Sequence, residues 1–449
     1  MTEPARPGVD QRSAGQRGPH QRCRQIVTSA YDRGRPPSIS AAVFHRGEIG
    51  WRAEFGDAGR QYRIGSITKT FTAVAVMRLR DRGVVRLDDP IGTHLPDAPY
   101  ADHTIAQLLT HSSGMTAEPA GPWWERTPGR DWGYLARANA TSLDVFAAGE
   151  RHHYSNLGYG LLGELVARVE GGTWWDVVES SLVRPLGLTE TTYLPGSDAA
   201  VGTSRDPRDG RVMREPAYDA AAMAPAGQLW STVDDLARWA EFLAVGHDAV
   251  LSSSTLAQMR VARAADPLTQ HRGAYGLGFR LRWRPASTLL GHTGSMPGFV
   301  AALFVDATSR VGGVVLANTT TGLEVETLVA DLIDAAEPAH RETAAGNLSA
   351  PSEPAGFELA GEWYWGNVAM MVAGTRDGFT LTSEGLDRGF VQVDDDRYRG
   401  RTGYFAGEEL RVVRRDDGAV SHLEVVTFIF TRIPYDSRAP IPGGPPEPL

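Results

Sequence analysis

One stretch organises this chain of 449 residues: Arg63-Ile64-Gly65-Ser66-Ile67-Thr68-Lys69-Thr70-Phe71. Of the 45 Lys and Arg residues in the sequence, Lys69 is the only lysine. Arginine keeps its proton in proteins, whereas a lysine that is buried or lies beside another cation can lose it. We therefore interpret Lys69, three residues after Ser66, as an amine that accepts or relays a proton. The alternative is that one lysine survived by chance in an arginine-rich sequence.

Length and charge indicate the general class of the protein. A chain of this length is too long for one hydrophobic core and predicts two or three domains. The net charge is −9 and the arginines are scattered among acids, so we expect no nucleic-acid partner. No window is apolar over the length that spans a bilayer, so we expect no membrane segment either.

The N-terminal residues 1–25 are polar and rich in Pro, Gly and Arg. They lack the apolar centre of a secretory signal, so we expect a disordered tail and a cytoplasmic protein. An upstream start codon that adds a signal sequence is the alternative. Cys23 is the only cysteine and lies in this tail, so we expect neither an intramolecular disulfide nor a thiolate metal site.

The hydrophobic pattern predicts a mixed α/β (α+β) fold for residues 26–337. From Ser66 to about Arg80 apolar residues lie on most faces of a predicted helix, which is typical of a buried helix. Ser66 would begin this helix, with Lys69 one turn on and on the same side. Strand patterns occur at 38–44, 49–55, 276–283, 299–306 and 311–317, with helices between them. We therefore expect a sandwich whose sheet is assembled from both ends of the domain, with an inserted helical subdomain.

The C-terminal third differs in composition and in hydrophobic pattern. Residues 338–356 are rich in Ala, Glu, Pro and Ser and predict a linker. Residues 357–435 contain short strand patterns separated by turns such as Asp416-Asp417-Gly418, which predicts a small antiparallel β-barrel-like domain. Its Trp363-Tyr364-Trp365 cluster is expected in the barrel core. Residues 436–449 are expected to form a disordered, Pro-rich tail.

Ser66 and Lys69 together carry the chemistry of a nucleophile and its base. A serine hydroxyl is a poor nucleophile until a nearby base takes its proton. The spacing i and i+3 at the start of a helix brings the amine and the hydroxyl within hydrogen-bond reach. The helix N-terminus also directs backbone N–H groups at an oxyanion that develops there.

Three motifs resemble those of the serine β-lactamase-like family, in order and in rough spacing. They are Ser66-Ile67-Thr68-Lys69, Tyr154-Ser155-Asn156 and His292-Thr293-Gly294. The match is closest to the branch of class C β-lactamases, penicillin-binding-protein-like esterases and D-aminopeptidases. The resemblance covers about residues 35–335 and implies a sandwich of an antiparallel sheet with flanking helices.

The resemblance also implies roles for individual residues. Ser66 would be the acylated nucleophile, Lys69 a proton acceptor or relay, and Tyr154 the general base and later the general acid. Asn156 would bind the substrate's amide or ester region. The backbone N–H groups of Ser66 and Ser295 would form the oxyanion hole, with Ser295 following the third motif on an edge strand. In isolation, a packing role for Tyr154 and a helix cap for Asn156 are the alternatives.

Other side chains fit no alternative catalytic centre. His152 and His153 are adjacent and point apart, without a carboxylate or Cys partner at metal-ligand spacing, so no metal is expected. Trp123, Trp124, Trp132 and Tyr134 lie in a region that can wall the cleft in the resembled folds, and packing in the core is an equal alternative.

His292 departs from the family pattern, because lactamases and penicillin-binding proteins usually have Lys there. A histidine is shorter and mostly neutral at pH 7, so it holds a substrate carboxylate less well. Family members with His at this position tend to be esterases, amidases or D-amino-acid peptidases. The substrate-binding set would then be Asn156, His292, Thr293, Gly294 and Ser295.

These observations predict a serine hydrolase that forms an acyl-enzyme at Ser66 on small esters or amides and needs no cofactor. A true β-lactamase or D,D-carboxypeptidase is the alternative enzyme. A non-catalytic binding or sensor protein that retains the fold is the alternative of a different class. The C-terminal domain could cover the cleft, set substrate size or mediate self-association, and homo-oligomer formation stays open with it.

Overall fold

The computed structural model describes residues 18–56, 60–265, 273–284, 287–337, 358–383 and 386–448. Two eight-stranded sheets dominate the described residues, one in each of two domains. The predicted linker 338–356 lies outside the described residues, as do residues 1–17 of the predicted tail.

The sheet of the first domain is antiparallel and joins both ends of the domain. The strands of this domain are β1 (Ile39–His45), β2 (Glu48–Phe55), β3 (Tyr62–Arg63), β4 (Thr203–Arg205), β5 (Val212–Arg214), β6 (Trp230–Ser231), β7 (Ala264–Ala265), β8 (Gly273–Tyr275), β9 (Arg280–Trp283), β10 (Thr288–Met296), β11 (Phe299–Asp306) and β12 (Val311–Ala317). The large sheet has the order β2-β1-β12-β11-β10-β9-β8-β7. Since β1 pairs with β12, with Ile39 opposite Ala317, the predicted assembly from both ends is confirmed.

The predicted strand 276–283 is wrong in its first half. β8 ends at Tyr275 and β9 begins at Arg280, and the residues between them turn the chain. Gly278 has a φ of +88°, a backbone conformation that breaks a strand and that only glycine adopts readily.

Helices cover both faces of this sheet. They are α1 (Pro19–Gly34), α2 (Thr68–Asp81), α3 (Ile105–Leu109), α4 (Trp132–Ala138), α5 (Asn156–Glu170), α6 (Trp174–Val178), α7 (Ala224–Gly227), α8 (Val233–Val245), α9 (Ser253–Met259) and α10 (Val325–Ala336), with 3₁₀ turns at Gly65–Ile67 and Ile91–Thr93 and a π-helical turn at Glu179–Val183. Alternate residues of β1 enter two cores: Ala42 and Phe44 pack with α2 and α8, and Ala41 and Val43 pack with α1 and α10. A sheet covered on both faces needs such continuous apolar strands.

The helix α2 is the buried centre of the larger core, as its pattern predicted. Its side chains from Thr68 to Met77 are all buried. Phe71 stacks on Trp239 of α8 with ring centroids 3.7 Å apart. Such close packing holds the start of α2, where Ser66 and Lys69 lie, in one position.

The predicted disordered tail 1–25 extends too far. Pro19–Gly34 forms α1, and the Cys23 side chain is buried against α10, with Sγ 3.8 Å from the Leu332 carbonyl oxygen. Cys23, Val27 and Ala30 make one apolar stripe at helical spacing. Most other residues of α1 are polar, so the apolar stripe is a weak signal in the sequence.

The second domain is a barrel-like antiparallel sheet, as predicted. Its strands follow one another in the order β13 (Gly361–Trp365), β14 (Val368–Gly374), β15 (Gly378–Ser383), β16 (Leu386–Asp394), β17 (Arg397–Gly400), β18 (Glu409–Arg414), β19 (Val420–Val425) and β20 (Phe428–Phe430). An isolated bridge between Tyr364 and Thr431 brings the first strand back towards the last. Trp363 is fully buried in the barrel core, whereas Trp365 faces the first domain and packs on Trp123.

The C-terminal residues 436–448 return to the first domain instead of forming the predicted disordered tail. Glu447–Pro448 forms β21, which pairs with β5. Arg126 donates to the carbonyl oxygens of Pro442 and Gly444, so the backbone acceptors of this segment are used. The segment is ordered because the buried Arg126 of the first domain needs hydrogen-bond acceptors. Arg126 is distant in sequence, so the local pattern of residues 436–448 does not reveal this contact.

A buried ion pair of the first domain also binds a tyrosine of the second. Arg126 donates to Glu215 of the first domain and to the Tyr435 hydroxyl, which itself donates to Glu215. Asn367 Nδ2 donates to Ser204 Oγ over 2.7 Å at the same interface. Within the described part of the chain, no helix is both long and apolar enough to cross a bilayer.

Candidate active site

The turn that carries Ser66, called the nucleophile turn after the role predicted for Ser66, joins β3 to α2. Gly65 has a φ of +51°, which only glycine adopts readily, and it starts the 3₁₀ turn that holds Ser66. Ser66 is only partly buried, whereas Lys69 is completely buried one turn on. Lys69 Nζ lies 2.9 Å from Ser66 Oγ. The predicted contact between these two side chains is therefore present.

Lys69 is held by three acceptors. Its Nζ also donates to Asn156 Oδ1 over 2.6 Å and to the Ala226 carbonyl oxygen over 2.7 Å. Burial lowers the pKa of Lys69 to about 7, although the negative charges of Glu118 and Glu125 oppose this shift. A neutral amine keeps two N–H donors for Asn156 and Ala226 and offers its lone pair to Ser66.

Tyr154 lies close to Lys69 and Ser66. Its ring centroid is 4.9 Å from Lys69 Nζ. Although part of the side chain is accessible, burial of the hydroxyl raises the pKa of Tyr154 well above its usual value of about 10. The interaction with the Ser66 side chain lowers the Tyr154 pKa and so opposes part of this shift. Tyr154 is therefore a protonated phenol near neutrality, able to donate a hydrogen bond and to pass on a proton.

The segment before α5 positions this tyrosine. Ser155 caps the helix, since its Oγ accepts from the Gly158 N–H, and its own N–H donates to His111 Nδ1. The His111 ring packs on Tyr154 with centroids 4.1 Å apart. His111 is completely buried, and burial lowers its pKa well below the usual range, so it is a neutral support for the tyrosine.

Asn156 occupies the first position of α5 and joins Lys69 to an acid. Its Oδ1 accepts from Lys69, while its Nδ2 donates to Glu118 Oε1 over 2.6 Å. Glu118 Oε2 accepts from Trp124 Nε1 over 2.7 Å. The Asn156 side chain therefore binds both Lys69 and the Glu118 carboxylate. Asn156 is not the cap of α5, because Ser155 caps that helix.

The third motif lies on β10, which is an edge strand over only part of its length. β10 pairs with β9 only from Thr288 to Gly291 and with β11 from Leu289 to Met296. The second half, with the motif, therefore has one side free for the nucleophile turn.

Two glycines allow a close approach between β10 and that turn. A Cβ on Gly294 would lie 1.9 Å from the Ile64 carbonyl oxygen. A Cβ on Gly65 would lie 2.5 Å from the Ser295 backbone N. Since real side chains never come this close, both positions require glycine, and the backbone of β10 at Gly294 and Ser295 lies against the backbone of the turn at Gly65 and Ser66.

His292 does not reach the cleft. Its side chain is buried, Nε2 accepts from the Tyr275 hydroxyl over 2.9 Å, and Nδ1 donates to the Thr293 carbonyl oxygen. Burial lowers the pKa of His292 well below its usual range, so the ring is neutral. Thr293 Oγ1 accepts from Arg280, whose charge is matched by Glu326. The structure thus separates His292 from the predicted substrate-binding set and keeps Ser295 exposed at the cleft.

A narrow cleft, with a cavity volume of about 10 Å³, lies beside Ser295, between the two domains. Its lining includes Trp123, Glu125 and Ser295 from the first domain and Trp365, Asn367 and Tyr435 from the second. Of the four aromatic residues considered for the cleft wall, Trp123 lines it, while Trp124 is buried behind Glu118.

Glu118 and Glu125 are site residues that the sequence patterns did not reveal. Burial raises the pKa of both carboxyl groups, for Glu125 to about 7. Both lie in the Trp- and Pro-rich segment between the first two motifs, which has no helical or strand periodicity to place them. The one available signal was the presence of acids in a segment expected near the cleft.

Comparisons with known proteins agree with this architecture. Residues 23–337 match the family described as Beta-lactamase, and residues 352–432 match a Domain of unknown function (DUF7586). D-alanyl-D-alanine-carboxypeptidase/endopeptidase AmpH of Escherichia coli (strain K12) is 31% identical over 189 residues, which cover 39% of this chain and 47% of the relative. The chain thus spans about half the length of this relative.

Two solved structures are similar in fold. A D-stereospecific amidohydrolase from Streptomyces sp. is 25% identical with a TM-score of 0.62, covering 70% of this chain and 97% of its own. The octameric penicillin-binding protein homologue from Pyrococcus abyssi has a TM-score of 0.62 at 19% identity and covers 92% of this chain and 99% of its own. Because the family match extends over most of the chain, this protein belongs to the Beta-lactamase family, a family of hydrolases, and carries an additional C-terminal barrel-like domain.

Proposed function

We propose that this protein is a serine hydrolase that forms an acyl-enzyme at Ser66 on small esters or amides. The observation that carries the proposal is the contact between Lys69 Nζ and Ser66 Oγ, made by a lysine whose pKa is about 7. A base with a pKa near the working pH is half deprotonated and still strong enough to take a proton. A binding or sensor protein would have no need of such an amine.

The pKa directions support the following proton steps. Neutral Lys69 takes the proton of Ser66 as Oγ forms a bond to the substrate carbonyl carbon. The backbone N–H groups of Ser66 and Ser295 bind the oxyanion. When the bond to the leaving group breaks, the Tyr154 hydroxyl gives its proton to that group, and Tyr154 regains a proton from protonated Lys69. Water then attacks the ester on Ser66, with the same groups acting in reverse.

The charges near the cleft favour a substrate with an amine over one with a carboxylate. Among the described residues that line the cleft, Arg126 is the only Lys or Arg, and Glu215 and Tyr435 occupy its guanidinium. His292 is neutral and faces the interior. Glu125 is partly exposed there, and its Oε2 accepts a hydrogen bond from Trp123 Nε1. The charge beside Ser295 favours an amide or ester of a D-amino acid with a free amino group, in agreement with the similarity to the Streptomyces amidohydrolase.

A D,D-carboxypeptidase is the second candidate, because of the similarity to AmpH. Such a substrate ends in a carboxylate, and so do penicillins. The described cleft offers no uncommitted cation for that group, so we rank this activity, and lactam hydrolysis, second.

The test combines labelling with a substrate panel. A fluorophosphonate should label the wild type and fail to label Ser66→Ala. The panel contains D- and L-alanine p-nitroanilides, their N-acetyl derivatives, p-nitrophenyl acetate and the lactam nitrocefin. We expect turnover of the ester and of the free-amine D-anilide above that of nitrocefin, with all turnover lost in Ser66→Ala. A wild type that is neither labelled nor active on the panel would refute the proposal.

A further inference from the structure

We propose that the C-terminal barrel is part of the active site, and that its Tyr404 is a positioning residue that holds Glu118 and Asn156 in the orientation Lys69 requires. This inference rests on the proposed function. No similarity described above assigns a role to this barrel, whose own family match is a domain of unknown function.

Tyr404 reaches the site from the loop 401–408, between β17 and β18. Its hydroxyl donates to Glu118 Oε1 over 2.5 Å and lies 3.4 Å from Asn156 Nδ2. Its ring lies 6.2 Å from that of Tyr154. One hydroxyl from the second domain therefore contacts two residues that surround the catalytic lysine.

These contacts form one chain of hydrogen bonds. Tyr404 and Asn156 both donate to Glu118 Oε1, and the opposite end of the Asn156 amide accepts from Lys69. If the Asn156 side-chain amide flipped by 180°, its NH₂ group would face Lys69 Nζ. The Glu118 carboxylate prevents this flip, because it accepts a hydrogen bond from Nδ2. A buried carboxylate stays charged only when hydrogen-bond donors surround it. Tyr404 is one of three side-chain donors to Glu118, with Asn156 and Trp124.

The same loop is anchored to the first domain independently of Tyr404. The buried Glu408 carboxylate accepts from the Ala117 N–H over 2.8 Å and from His153 Nε2 over 3.1 Å. Ala117 and His153 are the residues that precede Glu118 and Tyr154 in the sequence. Glu408 thus joins the two segments that carry these side chains, and removal of the Tyr404 hydroxyl leaves this anchor in place.

The network also connects Tyr404 to the protonation of Lys69. The Tyr404 hydrogen bond lowers the pKa of Glu118, and the Glu118 charge raises that of Lys69. Without the hydroxyl, Glu118 takes up a proton more readily and Lys69 becomes neutral at lower pH. The other titratable groups that face Lys69 from its neighbouring elements are Glu125, His111, Tyr154, Tyr159 and His292.

The experiment compares Tyr404→Phe with Tyr398→Phe in the full-length protein. Both changes remove one hydroxyl from the barrel, and Tyr404→Phe keeps the ring that packs against Phe405 and Phe428. Tyr398 lies in the barrel core and serves as the control. With p-nitrophenyl acetate, we expect Tyr404→Phe to lower kcat by about tenfold with little change in KM, since a hydrogen bond to a charged group is lost. The acid limb of its pH profile should move to lower pH.

A double-mutant cycle makes the test independent of any one variant. Glu118→Gln should move the acid limb in the same direction, and the combined variant should show less than the sum of the two effects on log kcat, because both changes act on one network. Unchanged kcat and pH profile in Tyr404→Phe, or equal losses in Tyr398→Phe, would overturn the inference. The proposed function fails separately, if fluorophosphonate does not label the wild type at all.

Discussion

The Nζ of Lys69 lies 2.9 Å from the Oγ of Ser66, and the rest of the site surrounds this contact. Asn156 and the Ala226 carbonyl occupy the other two donors of the lysine, so its lone pair, once the proton is lost, is directed at the serine. Burial brings the pKa of Lys69 down to about 7 and makes this loss accessible near neutrality.

The pH profile should report Lys69 directly. Because the proposed base is the neutral amine, kcat/KM for an ester should rise with pH up to about 7 and level off above it. Lys69→Arg should lower kcat by a factor of about 10² to 10⁴ at every pH, since arginine keeps its proton. Initial rates between pH 5 and 9 check both points. A wild-type profile with no inflection near neutrality would contradict the assignment of Lys69 as base.

Glu125 should select for substrates that carry a free amine. Glu125→Gln removes the charge and should raise KM for D-alanine p-nitroanilide by about tenfold, the usual cost of a lost hydrogen bond to a charged group. The N-acetyl anilide carries no charge and serves as the control, with KM unchanged. Since the pKa of Glu125 is about 7, preference for the amine should increase as pH rises through neutrality. An equal change in KM for both substrates would show that Glu125 does not recognise the amine.

Gly294 should be indispensable to the oxyanion site. Gly294→Ala places a methyl group against the Ile64 carbonyl oxygen and must push β10 away from the nucleophile turn. We expect kcat to fall by about 10² or more, as when an oxyanion donor is lost, and the free energy of unfolding to fall by about 1–3 kcal/mol. Gly50→Ala is the control, because a Cβ there meets nothing within 4 Å. Ester kinetics and urea unfolding measure both effects, and a fully active Gly294→Ala would exclude this geometry.

Arg126, paired with Glu215 within the first domain, should hold Tyr435 and the C-terminal segment in place. Arg126→Met leaves a buried carboxylate without its cation and should reduce the free energy of unfolding by about 3–5 kcal/mol. The exposed pair of Arg211 and Asp209 gives the matched control, Arg211→Met, for which we expect no resolvable change. Calorimetry and limited proteolysis of the full chain measure stability and docking. An Arg126→Met protein as stable as the control would show that the pair contributes nothing to docking.

Much of the first domain was predictable from local patterns. The buried helix α2, the hairpin of β1 and β2 and a sheet built from both ends of the first domain follow from apolar periodicity, which depends on residues close in sequence. α1 was missed because three apolar residues in a helical stripe are a weak signal among arginines. The course of residues 436–448 was missed because its partner, Arg126, lies more than 300 positions away.

The sequence by itself determined that Ser66 and Lys69 meet. Helical spacing places Lys69 beside Ser66, and glycine at positions 65 and 294 permits the close approach of β10. Only the tertiary structure decided the protonation states and the surroundings: a neutral His292 turned inward, a lysine with a pKa of about 7, and a Tyr404 that contacts Glu118 across 286 positions. The physical reason is that desolvation and charge act through space, so they depend on how distant segments pack.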